Sequence, residues 1–526
     1  MNRVRPSWLF LLLGVALLAS CDKNPSGPDY GPPAILAIVS GNAQSAPVSS
    51  ELTNPLIVQV QDARSKAVPG ISVRWEVSSG GGSVEPDSSV TDDFGRTRAR
   101  WTLGPTLGNY TVNVIVEGLQ PLQFQALCRP GPPATIEKIS GDNQVATVAT
   151  PLPIFPTIAV RDEAGNPCPG TLIKFTVTSG AGWVTDATLP TNQNGEVSAV
   201  WYMGPQAGAT NVLDVSYGTI HTEFTAESSS LVPGETLFGR NDYIEFIVGD
   251  LPMIVSAPHG GYLTPTEITD RTWGTTGRDR NVQELARTIG DVFGEQYSGS
   301  RPHIIVCRLA RVKLDANREI GEAAQGNKFA EWAWNEWHLF IEAAKSAAAE
   351  TNGWGFYIDL HGHGHAIDRL ELGYLLSSSN LELTDESLNN PNYINKSSIR
   401  NLANTSPLTF AELIRGQYSM GSLFENTGVP AVPSAPQPRL SGQSYFSGGY
   451  DTARHGSRDG GVIDGVQIEA NYPGIRDTAI NRYQFAQDLA TVMDEYFTVH
   501  YGYPLNMFGS WSIPAVGSVL EFRLPN

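Results

Sequence analysis

Two tandem all-β sandwiches, followed by an α/β domain with a largely parallel mixed sheet flanked by helices, is the architecture that the sequence predicts. Three observations carry it. The chain matches itself at a fixed offset: Pro69-Gly70 falls on Pro169-Gly170, Gly95 on Gly195, Trp101 on Trp201 and Gly104-Pro105 on Gly204-Pro205. Such self-similarity marks repeated structural modules. Inside each repeat, alternating runs such as Ile71-Ser72-Val73-Arg74-Trp75-Glu76-Val77 and Leu172-Ile173-Lys174-Phe175-Thr176-Val177 read as half-buried strands, separated by turn signals such as Ala164-Gly165-Asn166-Pro167. From about residue 235 strand-like runs (Met253 to Ser256, His303 to Val306, Gly355 to Leu360) alternate with helical stretches (Asn281 to Ile289, Lys328 to Glu350, Tyr483 to Phe497). Strand then helix, repeated, means a largely parallel sheet covered on both faces.

Composition sets the limits. A chain of 526 residues exceeds a single hydrophobic core. Apolar residues at 41% exclude a disordered chain. Lys plus Arg number 35 against 53 Asp plus Glu, a net charge of -18 that argues against nucleic acid as partner. Four cysteines without a CxxC pair exclude a disulfide scaffold and a zinc ribbon.

The first residues read as an address. Arg3 and Arg5 precede the apolar run Trp8 to Leu18, and small residues follow; this is the layout of a secretory signal, and the run is too short for the roughly 20 residues of a membrane span. Leu18-Ala19-Ser20-Cys21 resembles the bacterial lipobox. The resemblance implies cleavage after residue 20 and lipidation of Cys21, which would hold the protein at a membrane of the bacterial cell envelope, on the periplasmic or the cell-surface side. Residues 21–31, rich in Pro, Gly and Ser, form a linker.

The two modules span 32–128 and 132–228. Their pattern, D-x-x-G-N-P-x-P-G before an alternating strand and then T-x-x-x-G, is similar to bacterial immunoglobulin-like domains of the invasin/intimin kind. That resemblance implies a stalk, or an adhesin. In such a sandwich Cys128, ending the last strand of repeat one, and Cys168, in a turn of repeat two, come near the junction, so a Cys128–Cys168 disulfide is expected. Cys307, within Ile304-Ile305-Val306-Cys307, reads as a buried thiol.

Residues 235–502 carry the chemistry. In parallel sheets a site gathers at the carboxyl ends of the strands, so the polar residues that end the apolar runs matter most. One run ends in Ser256-Ala257-Pro258-His259-Gly260-Gly261, and another in Asp359-Leu360-His361-Gly362-His363-Gly364-His365. Asp279, in Arg278-Asp279-Arg280-Asn281 at a helix start, is either an N-cap or a metal ligand. Two imidazoles and a carboxylate suit a catalytic zinc that keeps a position for water. Arg311, Asn317 and Arg318 supply two guanidinium forks and an amide for a carboxylate. Glu469, alone in the apolar run Val466-Gln467-Ile468-Glu469, is the candidate general base.

In their order these pieces resemble the N-formylglutamate amidohydrolase family, relatives of the zinc carboxypeptidases: P-H-x-G at His259, an aspartate at Asp279, R-x-x-x-D-x-N-R from Arg311 to Arg318, D-L-H from Asp359 to His361, and Q-x-E from Gln467 to Glu469. The resemblance implies one zinc held by His259, Asp279 and His361, with Glu284 as the fallback carboxylate and Asp359 orienting a ligand histidine. It implies that Arg311, Asn317 and Arg318 grip a substrate carboxylate and that Glu469 moves the proton. His363 and His365 would shape the pocket or contact substrate. Because the family's named reaction is cytoplasmic, the expected substrate differs: an acyl amino acid or a peptide-like molecule with a free carboxylate. The competing expectation is an adhesin whose C-terminal domain has lost catalysis. The tail, 503–526, reads as one or two added strands.

Overall fold

The computed structural model describes residues 29–505. The expected signal segment with Cys21, and the strands expected at Phe508 to Trp511 and Val519 to Leu524, lie outside the described residues. The described residues divide into two compact units, 29–135 with 160–168, and 136–159 with 169–505. No helix among the described residues is long and apolar enough to cross a membrane.

The first unit is a β-sandwich. One sheet orders Ile35–Ser40, Leu56–Gln61, Arg96–Thr102 and Ser83–Glu85; the other orders Gln44–Pro47, Leu122–Arg129, Gly108–Ile115, Ser72–Ser79 and Ser88–Val90. Alternate residues of these strands turn inward, as in Leu56, Val58 and Val60, and close on Trp75, Trp101 and Phe124. The expected Cys128–Cys168 bridge is a correction: no bond joins them, and Cys128 is an unbridged buried thiol. Its Sγ faces the Gly104 carbonyl at 3.7 Å, whereas the Cys168 Sγ faces the Gly131 and Asn166 carbonyls at 3.9 and 3.8 Å. Each sulfur thus has main-chain carbonyls as near neighbours.

In the second unit the five-stranded sheet orders Gln144–Thr147, Ile220–Ser229, Thr210–Tyr217, Leu172–Ser179 and Thr188–Pro190. It continues into an α/β domain built on eight strands: β1 (Thr236–Phe238), β2 (Ile244–Ile247), β3 (Met253–Ala257), β4 (His303–Cys307), β5 (Gly355–Gly362), β6 (Leu370–Gly373), β7 (Ala431–Val432) and β8 (Ile463–Ala470). Their order is β1-β2-β4-β3-β5-β8-β6-β7. The four central strands β4, β3, β5 and β8 run parallel, and β2 and β6 join them antiparallel on either side. The sheet is therefore mixed with a parallel centre. Every residue of β3, β4 and β8 is buried, as a sheet covered on both faces requires.

Three long helices supply the cover: α1 (Val282–Gln296), α2 (Lys328–Asn352) and α4 (Ala479–Tyr501), with the short α3 (Tyr450–His455) between the last two. Asn327 caps α2 through its side chain, and Gly353 ends it in a left-handed turn. Helices α1 and α4 bury Leu285, Ile289, Phe293, Leu489 and Met493 against β3, β5 and β8 in one cluster. Cys307 is fully buried, and burial pushes its thiol up to about 12.

Repeat two does not hang free of this domain within the second unit. Tyr202 stands where repeat one has Thr102. It donates its hydroxyl to Glu336 Oε1 on α2 at 2.6 Å and stacks on Trp183 with ring centroids 4.7 Å apart. Trp332 Nε1 donates to the Thr185 carbonyl at 2.8 Å. Val148, Ala149 and Tyr202 share an apolar cluster with Ile244, Trp337 and Phe340. Burial raises the Glu336 carboxyl above its ordinary value, although bonds from Tyr202 and the Arg240 amide oppose the shift.

Two outcomes follow. Tyr202→Phe leaves a buried carboxyl short of a donor and should cost about 1–3 kcal/mol of unfolding free energy in urea titration. His303 accepts the Gly249 N–H on Nδ1 at 3.1 Å, and burial pushes its imidazole down to about 4. An unfolded histidine titrates near ~6.5. The stability that neutral His303 contributes is therefore complete above that pH and is lost as pH falls toward the folded value, on the order of 3 kcal/mol. Urea unfolding at stepped pH should show a smaller loss across this window for His303→Gln.

Candidate functional site

The site forms where β3, β5 and β8 end side by side. His259 leaves β3 two residues past its last residue. His361 is the penultimate residue of β5, and the register sets it opposite Glu469 on β8. Asp279 lies in the loop before α1, whose N-cap is Asn281; Asp279 is thus not the cap, and its carboxylate is released to the site. Asp279 Oδ2 lies 3.5 Å from His259 Nδ1 and 3.3 Å from His361 Nδ1, and it accepts the Gly362 N–H at 3.2 Å. One ligand atom from each of His259, Asp279 and His361 falls within 4.8 Å of the others, so the three could hold a metal ion. Glu284 is turned elsewhere, accepting the Tyr262 hydroxyl at 3.0 Å.

What aims the imidazoles is a second layer of carboxylates. His259 Nε2 pairs with Asp315 Oδ1 at 2.6 Å, and His361 Nε2 with Asp359 Oδ1 at 2.9 Å. Both aspartates are fully buried. Each ring therefore has its Nε2 tied back and its Nδ1 turned to Asp279, the arrangement that fixes tautomer and orientation in metal-ligating histidines. Among the described residues the buried Nδ1 of His259 has only the Asp279 carboxylate near it, at a long 3.5 Å. An orphaned imidazole nitrogen beside a carboxylate fits a cation.

The electrostatics agree. Burial disfavours the charged form of Asp279, yet bonds to and charges on His259 and His361 outweigh it and hold the carboxyl well below its usual range. Burial also opposes charge on His361, but Asp359 and Asp279 hold the imidazole well above its ordinary value. Burial pushes Glu469 up to about 8, with His361 opposing and Asp279, Glu371 and Asp359 reinforcing. Gln467 Nε2 donates to Glu469 Oε1 at 2.9 Å.

A cavity of about 410 Å³ opens over these groups, walled by Thr275, Arg311, Asn317, Arg318, Glu469 and the loop 445–449. The residues expected to grip a carboxylate are partly committed already. Arg311 Nε donates to Asp315 Oδ2 at 2.9 Å, which balances the charge behind His259. Asn317 Oδ1 accepts the Asp451 N–H at 2.7 Å, and its Nδ2 lies 2.9 Å from His361 Nε2, so this amide positions the site. Arg318 donates Nη1 to its neighbour's carbonyl and pairs Nε with Glu322 at 3.3 Å; it stays a third exposed.

His363 does not line the cavity. Its Nε2 donates to the Arg369 carbonyl at 2.8 Å and its Nδ1 accepts the His365 N–H at 3.1 Å, so both ring nitrogens hold the turn after β5. His365 pairs with Glu371 at 2.8 Å and stacks on Phe446, a wall residue, with ring centroids 4.7 Å apart. Gly362 is required here: a Cβ would lie 2.2 Å from Arg476 Cζ. Two functional residues escaped the sequence reading. Asp315 sat inside the arginine motif without a role, and only its place in the apolar context Lys313-Leu314-Asp315-Ala316 hints at burial. Arg476, also buried, donates to the carbonyls of Ala470, His363 and Arg280, clipping three segments of the site together. Nothing local in the sequence marks it.

No family model and no curated protein matches this chain. Solved structures similar to it include an N-formylglutamate amidohydrolase from Ralstonia eutropha JMP134, at 14% identity over 52% of this chain and 100% of that one, with a TM-score of 0.31. They also include FdeC, an Escherichia coli adhesin, at 15% identity over 43% of this chain and 72% of that one with a TM-score of 0.29. The Yersinia pseudotuberculosis adhesin InvE is similar at 16% identity over 41% of this chain and 68% of that one, with a TM-score of 0.22.

Asp315→Asn should weaken metal affinity about 10–100-fold while the fold is retained, because His259 loses the group that aims it. Competition with a chromophoric chelator measures this.

Proposed function

We propose that the C-terminal domain is a zinc-dependent amidohydrolase acting on an amide in a small carboxylate-bearing substrate, an N-acyl amino acid or a peptide-like molecule. The observation that supports it is the meeting of His259 Nδ1, Asp279 Oδ2 and His361 Nδ1 at the floor of a cavity that also contains the buried carboxyl of Glu469. These three residues would hold the zinc. When bound, a zinc ion polarises a carbonyl oxygen and makes water acidic enough to attack at neutral pH.

The protein's own groups do the rest. Glu469, steadied at Oε1 by Gln467, takes a proton from the attacking water and returns it to the leaving nitrogen as the C–N bond breaks. Asp315 and Asp359 keep both histidines fixed through the cycle. Arg318, a third exposed at the wall and with only its Nη1 and Nε engaged, takes the substrate carboxylate. Phe446 and Gly449 close the opposite wall and limit water around the reacting amide. We further propose, from the lipobox-like Leu18 to Cys21, that a lipid on Cys21 holds the chain at the cell envelope.

Metal analysis of the purified protein should find about one zinc per chain, lost in His259→Ala and His361→Ala. A screen of acyl amino acids and short peptides, with Glu469→Gln as blank, should show turnover that falls by about 10²–10⁴ in that variant while zinc is kept. A well-folded, metal-free protein would favour the binding-protein reading instead.

A further inference from the structure

A second, open groove of about 530 Å³ lies beside the catalytic cavity, and Arg311 lines both. Its wall includes Tyr262, Arg278, Arg280 and Arg311. Three arginines and no Asp or Glu line it, although the Arg311 guanidinium is already held by Asp315. In a chain with a net charge of -18 this local excess of positive charge runs against the whole.

Arg278 and Arg280 are both exposed, and neither makes an ion pair among the described residues. The Arg278 side chain and the Arg280 main chain are nonetheless held in place. The Arg278 guanidinium lies over the Tyr262 ring at 3.9 Å, and the Tyr262 hydroxyl is anchored on Glu284. The Arg280 carbonyl accepts from Arg476 Nη1 at 2.5 Å, and Asn281 Nδ2 donates to the Arg476 carbonyl at 2.8 Å. Between the two arginines Asp279 points the other way, toward His259 and His361, and its N–H is held by the His259 carbonyl. One pinned segment thus offers a metal-ligating carboxylate to the cavity and two unpaired guanidinium groups to the groove.

We propose that this groove is a substrate subsite for a second acidic group, so that the substrate is a peptide-like chain bearing a carboxylate beyond the residue next to the scissile amide. The inference rests on the amidohydrolase reading of the neighbouring cavity. Size supports it: either space alone accommodates a drug-sized ligand, and a single acyl amino acid would leave the groove empty. Chemistry supports it as well, since arginine forks bind carboxylates in bidentate fashion.

The test uses the full chain and fluorescently tagged tetraglutamate and tetraglutamine peptides, read by anisotropy at roughly 0.05 and 0.5 M salt. Tetraglutamate should bind at least ~tenfold tighter than tetraglutamine, and the difference should vanish at high salt. The difference should also vanish in Arg278→Gln/Arg280→Gln and partly return in Arg278→Lys/Arg280→Lys. Where the acidic peptide is hydrolysed, the glutamine variant should raise KM and leave kcat unchanged. Equal affinity for the two peptides, no binding of either, or a preference that survives in the glutamine variant overturns the subsite. Charge-selective binding without hydrolysis of any peptide overturns the amidohydrolase reading and leaves the subsite standing; hydrolysis without charge selectivity does the reverse.

Discussion

Two buried carboxylates behind two imidazoles are the constraint on which the C-terminal domain depends. Asp315 and Asp359 are withdrawn from water altogether, and each finds its main compensation in a histidine Nε2. A buried charge is tolerable only when paired and hydrogen-bonded, so rotating either ring would cost its aspartate a close partner. Their Nδ1 atoms are therefore held toward Asp279. Pre-organisation of this kind is the usual means by which a protein lowers the cost of holding a metal or a transition state.

The same constraint explains how the surrounding polar groups are used. Arg311 serves Asp315, and the Thr452 hydroxyl donates to Asp359 at 2.9 Å from helix α3. Asn317 bridges His361 to the start of that helix. Arg311 and Asn317, which read as substrate contacts in the sequence, thus steady His259, His361 and their aspartates, while Arg318 and the 445–449 loop line the cavity. Arg476 ties the ends of β5 and β8 to the segment that carries Asp279. Its position explains why a site assembled from distant stretches of chain stays in register.

Repeat two shows how one scaffold takes on a different role by changing its surface. The strands and the buried tryptophan keep the pattern of repeat one, but Tyr202 and Trp183 replace Thr102 and Ser83. These aromatic side chains reach α2 and merge the sandwich core with that of the α/β domain. A pure spacer has no need of such a junction; here the module is part of the body that contains the cavity.

The sequence by itself determined the order of folds, because inward residues recur with period two in strands and the strand-helix alternation forces a parallel sheet. It also determined which residue types meet at the site, since glycine- and proline-marked strand ends place His259, His361 and Glu469 at one edge. Only the tertiary structure decided the partners. Whether Asp279 capped a helix, whether Glu284 competed with it, what Asp315 did, and that Cys128 stays unbridged all turn on distances between segments far apart in the chain. A local pattern reports which way a residue faces; what it faces is set by packing from the rest of the polymer.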